Sequence, residues 1–376
     1  MNSSLLDRFA SELSQIAQGG TAKKVCIAYH ADPDGVAAGV LVGAWLSHRT
    51  GERSPFIPLP IATHEFGFEK LLSHSSSFDF LITLDLNLYT TEGVVEILAL
   101  RSELGVLIVD DHEIKEPLVA TRAGFTYLNP RLTGDEPVPS SVMAALLCLN
   151  ESVFSQPNRV AAVGQVGALG DAALARFAHM LGHAEINRSN LQSCVNLISS
   201  YYACLDYDSD NDPLFLAISS WVHGEFNGSL VNAIIDRIPS LIRTQQAVEE
   251  AVTAFATQHV SNLDTQSNFS LDYLNVASPY RIVNLVASRR RIQAGTVVIV
   301  VTQQMNQSLV MAEFRRTRLL SDVDLTLLLN RIAKRMSLLS FGGHPAAAGC
   351  SFAPGDLTIF RDILTEEVNL WNTYTV

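Results

Sequence analysis

His30, Asp32 and Asp34 lie in the short run Tyr29-His30-Ala31-Asp32-Pro33-Asp34-Gly35. One imidazole and two carboxylates this close together, held by a proline and a glycine, suit a divalent metal ion. The same run also reads as an Asx-rich turn that caps a helix, since aspartate is a good N-cap. Two other stretches offer related chemistry. Asp85 follows the apolar run Phe78 to Leu84, and Asp110-Asp111-His112-Glu113 follows Gly105 to Val109. Asp171 ends an apolar stretch that starts at Ala161 and reads equally as a helix cap or a ligand.

These side chains can meet only if the elements before them are parallel strands. Val25 to Tyr29 reads as a buried strand and Val36 to Leu46 as the helix after its turn. Phe78 to Leu84 and Gly105 to Val109 read as further buried strands, with a crossover helix over Thr91 to Leu104. Parallel strands bring their carboxyl ends to one edge, which is where open α/β sheets bind ligands. Pro55 to Pro60 offers another short strand, and Tyr127 to Arg131 one that leaves the sheet. Leu5, Phe9, Leu13 and Ile16 fall on one face of a helix that Gly19-Gly20 ends. Ser140 to Leu149 and Ala161 to Ala173 read as small-residue apolar helices. His64, Glu65 and His74 read as surface residues.

From Leu181 to about His259 the chain reads as helical, with a polar break at Tyr207 to Pro213. That acidic break lacks the glycine and closing glutamate of a calcium loop and reads as a solvated turn. The polar stretch Thr257 to Tyr273 reads as a linker into a second α/β unit. There, Thr296 to Thr302 and Ser308 to Phe314 read as strands, the second running into Arg315-Arg316-Thr317-Arg318. Val323 to Ser337 reads as a helix, Phe341 to Gly349 as a glycine-rich loop, and Leu357 to Asn372 as the final helix.

A chain of 376 residues has room for two or three domains. The net charge of −12 argues against a broad grip on duplex nucleic acid, which needs clustered Lys and Arg. It leaves open a small phosphorylated substrate held through metals. The five cysteines are scattered without a CxxC pair, so reduced thiols in a cytoplasmic protein are expected. Asp7 and Glu12 interrupt the start, so no signal peptide is expected there. No run approaches the ~20 apolar residues of a membrane span.

With these stretches in view, the chain resembles the DHH phosphoesterase superfamily, in the branch that carries a DHH-associated domain with a GGH motif. That branch includes RecJ-type exonucleases, oligoribonucleases and cyclic dinucleotide phosphodiesterases. His30 to Gly35 resembles the first motif, Asp85 the second, Asp110-Asp111-His112-Glu113 the third, and Asp171 the fourth. Gly342-Gly343-His344-Pro345 with Ala347-Ala348-Gly349 resembles the substrate loop of the second domain. The third motif departs from Asp-His-His. Either Asp110 and His112 hold their places with Asp111 replacing the first histidine, or Asp111 and His112 do with Glu113 replacing the last. The first register is favoured because the strand then ends directly on Asp110. Either way a carboxylate replaces an imidazole, which favours magnesium or manganese over zinc.

The resemblance implies an α/β fold. A parallel-sheet DHH domain over residues 1–190 would be joined by a helical connector at 191–265 to a smaller α/β substrate-binding domain at 266–376. It implies two Mn2+ or Mg2+ ions held by His30, Asp32, Asp34, Asp85, Asp110, Asp111, His112 and Asp171, with Asp34 or Asp85 bridging. Asp34, Asp85 and His112 would be catalytic. Gly342, Gly343, His344 and one of the nearby arginines, Arg315 in first place, would bind the substrate. The implied activity is metal-dependent hydrolysis of phosphodiesters in short single-stranded oligonucleotides or small nucleotides. The alternative is a degenerate nucleotide- or nucleic-acid-binding scaffold. A homodimer fits this reading, and no membrane partner is expected.

Overall fold

A computed structural model of the chain describes residues 3–18, 24–52, 56–61, 75–86, 103–112, 124–150, 154–171, 173–182, 186–204, 212–258, 270–293, 297–317, 319–320 and 322–371. The expected crossover helix at 91–104 falls almost wholly outside these residues, as do His64, Glu65, His74, Glu113 and Arg318. The chain divides into two compact units. One comprises Met1–Tyr202 and Asp206–Gln245, the other Ala203–Leu205 and Gln246–Val376.

The first unit is built on β1 (Val25–His30), β2 (Phe56–Ile61), β3 (Phe80–Leu84), β4 (Gly105–Val109) and β5 (Phe125–Leu128). They form one sheet in the order β2-β1-β3-β4-β5, every pair parallel. The strands β1, β3 and β4 are apolar nearly throughout and buried along most of their length. A sheet covered on both faces requires this, and it is why they read as unbroken apolar runs. α1 (Ser3–Gln18) buries Leu5, Phe9, Leu13 and Ile16, the stripe its periodicity predicts. Burying each such side chain is worth about 1.5–3 kcal/mol.

α2 (Pro33–Thr50) starts where β1 ends. The Asp32 carboxylate accepts from Gly35 N–H as the N-cap, Pro33 occupies the first turn, and Gly51 closes the helix at φ 71°. α2, α3 (Ser140–Asn150) and α4 (Pro157–Gly170) are buried nearly all round. Their small residues allow close approach. A methyl group added at Gly164 would lie 2.6 Å from Ala145 Cβ. α5 (Leu174–Leu181), α6 (Arg188–Ala203), α7 (Pro213–Val222), α8 (Leu230–Arg237) and α9 (Leu241–Ala256) follow. The region read as a connector at 191–265 is therefore shared. Leu191, Leu197, Phe215, Ile234 and Leu241 belong to the first unit's core, and Val248 and Val252 to a cluster of the second.

The second unit has a mixed sheet in the order β6-β7-β8-β10-β9. β6 (Ser270–Val276) runs parallel to β7 (Val297–Gln304). β8 (Val310–Arg316), β9 (Ser340–His344) and β10 (Ala347–Phe352) complete it with antiparallel pairings. α10 (Val283–Gln293), α11 (Leu325–Ala333) and α12 (Leu357–Trp371) accompany the sheet. Two readings are corrected here. The linker expected through Tyr273 already contains the start of β6, and the glycine-rich loop at 341–349 is mostly the hairpin of β9 and β10. Among the described residues, no helix is long and apolar enough to cross a membrane.

Candidate metal centre

The parallel register lines up the chemistry. Tyr29 pairs with Leu84, Leu84 with Val109, and Val109 with Leu128. One step further along each strand stand His30, Asp85, Asp110 and Asn129, in a row across the carboxyl edge. Asp85 N–H donates to Val109 C=O and Asp110 N–H to Leu128 C=O, both at 3.0 Å, so the ladder extends past the strand ends. Asp85 has φ 56°, the only positive value for a non-glycine among the described residues. A left-handed aspartate costs on the order of 1–3 kcal/mol, and such strain gathers at functional sites.

Asp85 belongs to two donor groups. His30, Asp32 and Asp85 form one, and Asp85, Asp110, Asp111 and His112 the other. Within each, the ligand atoms lie within 4.8 Å of one another. The two oxygens of Asp85 divide between them: Oδ2 lies 3.4 Å from His30 Nδ1, and Oδ1 lies 3.9 Å from His112 Nδ1. His30 Nδ1 also lies 2.9 Å from Asp32 Oδ2, and His112 Nδ1 lies 2.6 Å from Asp110 Oδ1.

Asp34, Asp85, Asp110 and Asp111 are buried. Burial, followed by the charges of Asp32 and Asp34, holds the Asp85 carboxyl well above the ordinary range. Burial, followed by Asp171 and Asp32, lifts Asp34 to about 7. Burial also lifts Asp111 to about 7, with Asp34 and Asp110 adding to the rise while His112 and Arg131 oppose it. Asp32 and Asp110 go the other way. Burial pushes each up, but the imidazoles of His30 and His112 outweigh it, bringing Asp32 to about 2 and Asp110 below its usual value. Burial would lower His112, yet Asp110, then Asp85 and Asp111, raise it to about 10.

So much buried negative charge is costly without a cation to offset it. Asp110 Oδ2 is buried without a hydrogen-bond partner among the described residues. Oxygen donors with two imidazoles are the set that magnesium or manganese takes. The donors present therefore fit a divalent cation.

Asp34 and Asp171 stand outside both groups. The Asp34 carboxylate accepts from Ser140 N–H at 2.9 Å, from Ser141 N–H at 3.2 Å and from the Ser141 hydroxyl. It thus caps α3 while sitting on α2. Asp171 caps the end of α4, its N–H donating to Gly167 C=O. Its residue is exposed, yet its carboxyl sits low enough that desolvation, then Asp111 and Asp32, raise it to about 7. The charges of Asp111 and Asp32, second and third among these causes, mark it as near the cluster.

Asn129 and Arg131 went unnoticed in the sequence. Buried Asn129 donates to His112 C=O at 2.9 Å and accepts from Arg131 N–H, while Arg131 Nε donates to Asp111 C=O at 2.8 Å. Together, from just beyond β5, they pin the backbone of Asp111 and His112. The available signal was Asn-Pro directly after an apolar strand, in register with Asp85 and Asp110.

In the second unit, Arg315 Nη1 donates to Glu313 Oε2 and to Phe314 C=O, both at 2.8 Å. Arg316 donates to Pro345 C=O and Leu320 C=O. Strand pairing places Arg315 opposite Ala347, Ala347 opposite His344, and Gly349 opposite both Glu313 and Gly342. Gly343 has φ 132°, and a methyl group there would lie 2.5 Å from both Ala347 O and Ala348 Cα. The hairpin therefore requires a glycine at that position.

Neither a protein-family profile nor a curated protein sequence matches the chain. Solved structures do. One, described as a DHH domain of a member of the s1p family of ribosomal proteins, is similar with a TM-score of 0.74 and 14% identity, over 98% of this chain and 91% of that one. RecJ from Thermus thermophilus, in complex with Mn2+, has a TM-score of 0.63 and 16% identity over 97% of this chain, which spans only 54% of that RecJ. An exonuclease RecJ bound to manganese has a TM-score of 0.62 and 15% identity, over 96% of this chain and 94% of that one. The parallel sheet of the first unit and the mixed sheet of the second thus have the fold of these DHH-domain and RecJ structures.

Proposed function

We propose that the chain is a metal-dependent hydrolase of phosphate esters that cleaves phosphodiester bonds in short single-stranded oligonucleotides or small nucleotides. One observation carries this reading: Asp85 offers one oxygen to each of two donor groups at the carboxyl edge of the sheet. In this reading His30, Asp32 and Asp85 hold one ion, and Asp85, Asp110, Asp111 and His112 the other, with Asp34 and Asp171 completing the set. Bound Mn2+ or Mg2+ would supply charge neutralisation at the phosphate and a hydroxide at neutral pH. The protein's own part is to fix the donors. Asp110 holds His112 by Nδ1, Asn129 and Arg131 hold the backbone of that loop, and Ser140 and Ser141 hold Asp34. In the second unit, Arg315, Gly342, Gly343 and His344 would receive the nucleotide, since glycine lets a phosphate approach the backbone. The manganese- and magnesium-bound RecJ structures support the choice of ion. All five cysteines are free thiols, which supports a reducing, cytoplasmic setting.

The test is manganese-dependent release of p-nitrophenol from bis-p-nitrophenyl phosphate, followed by a screen of di- to pentanucleotides, 3′-phosphoadenosine 5′-phosphate and longer single-stranded DNA. A second reading, a nucleotide-binding protein without turnover, is favoured by one observation. Asp111 places a carboxylate where the resemblance expects an imidazole. Nucleotide binding without hydrolysis in any of these assays would decide for it.

A further inference from the structure

The acidic cluster needs a positive group to meet an anionic phosphate, and the sequence pointed only to the arginines of the second unit for one. Among the described residues of that run, Arg315 and Arg316 already hold partners. Arg315 is tied to Glu313, and Nε and Nη1 of Arg316 serve backbone carbonyls. Arg131 differs. It sits in the first unit, in a single 3-10 turn, Pro130–Thr133, between Pro130 and the left-handed Gly134 at φ 76°. Its N–H donates to Asn129 Oδ1 at 2.9 Å and its C=O accepts from Gly134 N–H at 3.2 Å, so the backbone is fixed at both groups. Its Nε donates to Asp111 C=O at 2.8 Å, which lays the guanidinium against the backbone of that donor. Among the described residues, Nη1 and Nη2 have no partner, and the residue is half-buried. A guanidinium pinned by one edge beside a carboxylate cluster presents its other two nitrogens as a fork, the geometry that grips phosphate oxygens.

Resting on the hydrolase reading above, we propose that Arg131 binds the substrate's phosphoryl group beside the donor cluster, through Nη1 and Nη2. The cation that neutralises this phosphate then comes from the same unit as the donors. It is already oriented before substrate arrives, so little side-chain freedom is lost on binding.

The experiment compares wild type, Arg131→Lys and Arg131→Ala, all full-length. Calorimetry gives the affinity for Mn2+ alone and then for inorganic phosphate on the manganese-loaded protein. Hydrolysis of bis-p-nitrophenyl phosphate gives kcat/KM. Arg131→Ala should bind phosphate at least tenfold more weakly and lose on the order of a hundredfold in kcat/KM. Its Mn2+ affinity should fall far less than its phosphate affinity, since the Asp111 and His112 side chains remain and Asn129 still holds the His112 carbonyl. Arg131→Lys should fall between, since it keeps the charge without the fork. Guanidinium chloride at millimolar concentration should partly restore kcat/KM to Arg131→Ala and to no other variant. Wild-type phosphate affinity in Arg131→Ala overturns the inference, as does a wild type that takes up no phosphate. A loss of Mn2+ affinity equal to the loss of phosphate affinity also overturns it, because Arg131 would then only support the Asp111 carbonyl. If wild type binds manganese and phosphate without hydrolysing any ester, the hydrolase reading fails, while a weaker phosphate affinity in Arg131→Ala still upholds the anion contact.

Discussion

In the proposed centre, Asp111 would set which ions the cluster prefers. A carboxylate here hardens the second donor group and adds a negative charge beside Asp110 and Asp34. Asp111→His should therefore shift preference from magnesium and manganese toward zinc, read as relative affinities in competition calorimetry. An unchanged order would show that Asp111 is not among the ligands. At this scale the sequence exposed every acid and imidazole of the two donor groups, because each ends or closely follows an apolar strand. It hid Asn129, whose importance comes from register: it stands level with Asp85 and Asp110 only once β5 is paired to β4. Asn129→Ala removes the donor to His112 C=O and the acceptor of Arg131 N–H, two part-buried bonds. A loss of about 1–3 kcal/mol in urea unfolding is expected, with Mn2+ affinity down about tenfold as the loop loosens. A variant that loses stability but keeps its Mn2+ affinity would separate Asn129 from the site.

α2, α3 and α4 converge on the Asp34 carboxylate. At Gly167 on α4, an added methyl group would lie 2.2 Å from Ser141 Oγ and 3.0 Å from Asp34 Oδ1. Gly167→Ala must push Ser141 or α4 aside, at a cost of about 1–3 kcal/mol in urea unfolding, and should also weaken Mn2+ binding by moving Asp34. A tolerated alanine would show that the helices part without cost. None of this convergence is visible in a linear reading, where Ser140 and Ser141 are just the start of an apolar helix. Other elements were hidden for local reasons. β6 carries Ser270, Asp272 and Asn275 and resembles a linker, but Asp272 is neutralised by Arg290 through bonds of 2.7 and 2.9 Å. β9 contains two adjacent glycines, poor strand formers, and takes its form from pairing with β10. The buried strands β1, β3 and β4 and the stripe of α1 were legible because burial on both faces, or on one, writes directly into the pattern of apolar residues.

Taken whole, Ala203 and Cys204 group with the second unit although the helix that leads to them belongs to the first, which the linear pattern does not announce. The crowding of acids in the first unit makes its stability depend on pH. In the metal-free protein Asp34, Asp111 and Asp171 titrate near 7 instead of the ordinary 3.8, so the folded state holds protons that the unfolded chain has released between those values. Stability contributed by these groups falls as pH rises through that window. His112, raised from 6.5 to about 10, acts in the same direction: its contribution is complete below 6.5 and lost toward 10. Asp32, lowered from 3.8 to about 2, opposes this only in acid below 3.8. The metal-free Tm should therefore be lower at pH 8 than at pH 5, and adding Mn2+ should raise it more at pH 8, where fewer protons must be displaced. A metal-free Tm that rises from pH 5 to pH 8 would contradict the charge crowding. The central claim, that Asp85 joins two metal sites into one hydrolytic centre, is tested most directly by titrating Mn2+ into wild type and Asp85→Ala while following p-nitrophenol release from bis-p-nitrophenyl phosphate. The account predicts that wild-type turnover saturates at two equivalents of tightly bound manganese and that Asp85→Ala, still folded, shows none at any concentration. Wild-type turnover in Asp85→Ala, or saturation at a single equivalent, would contradict it.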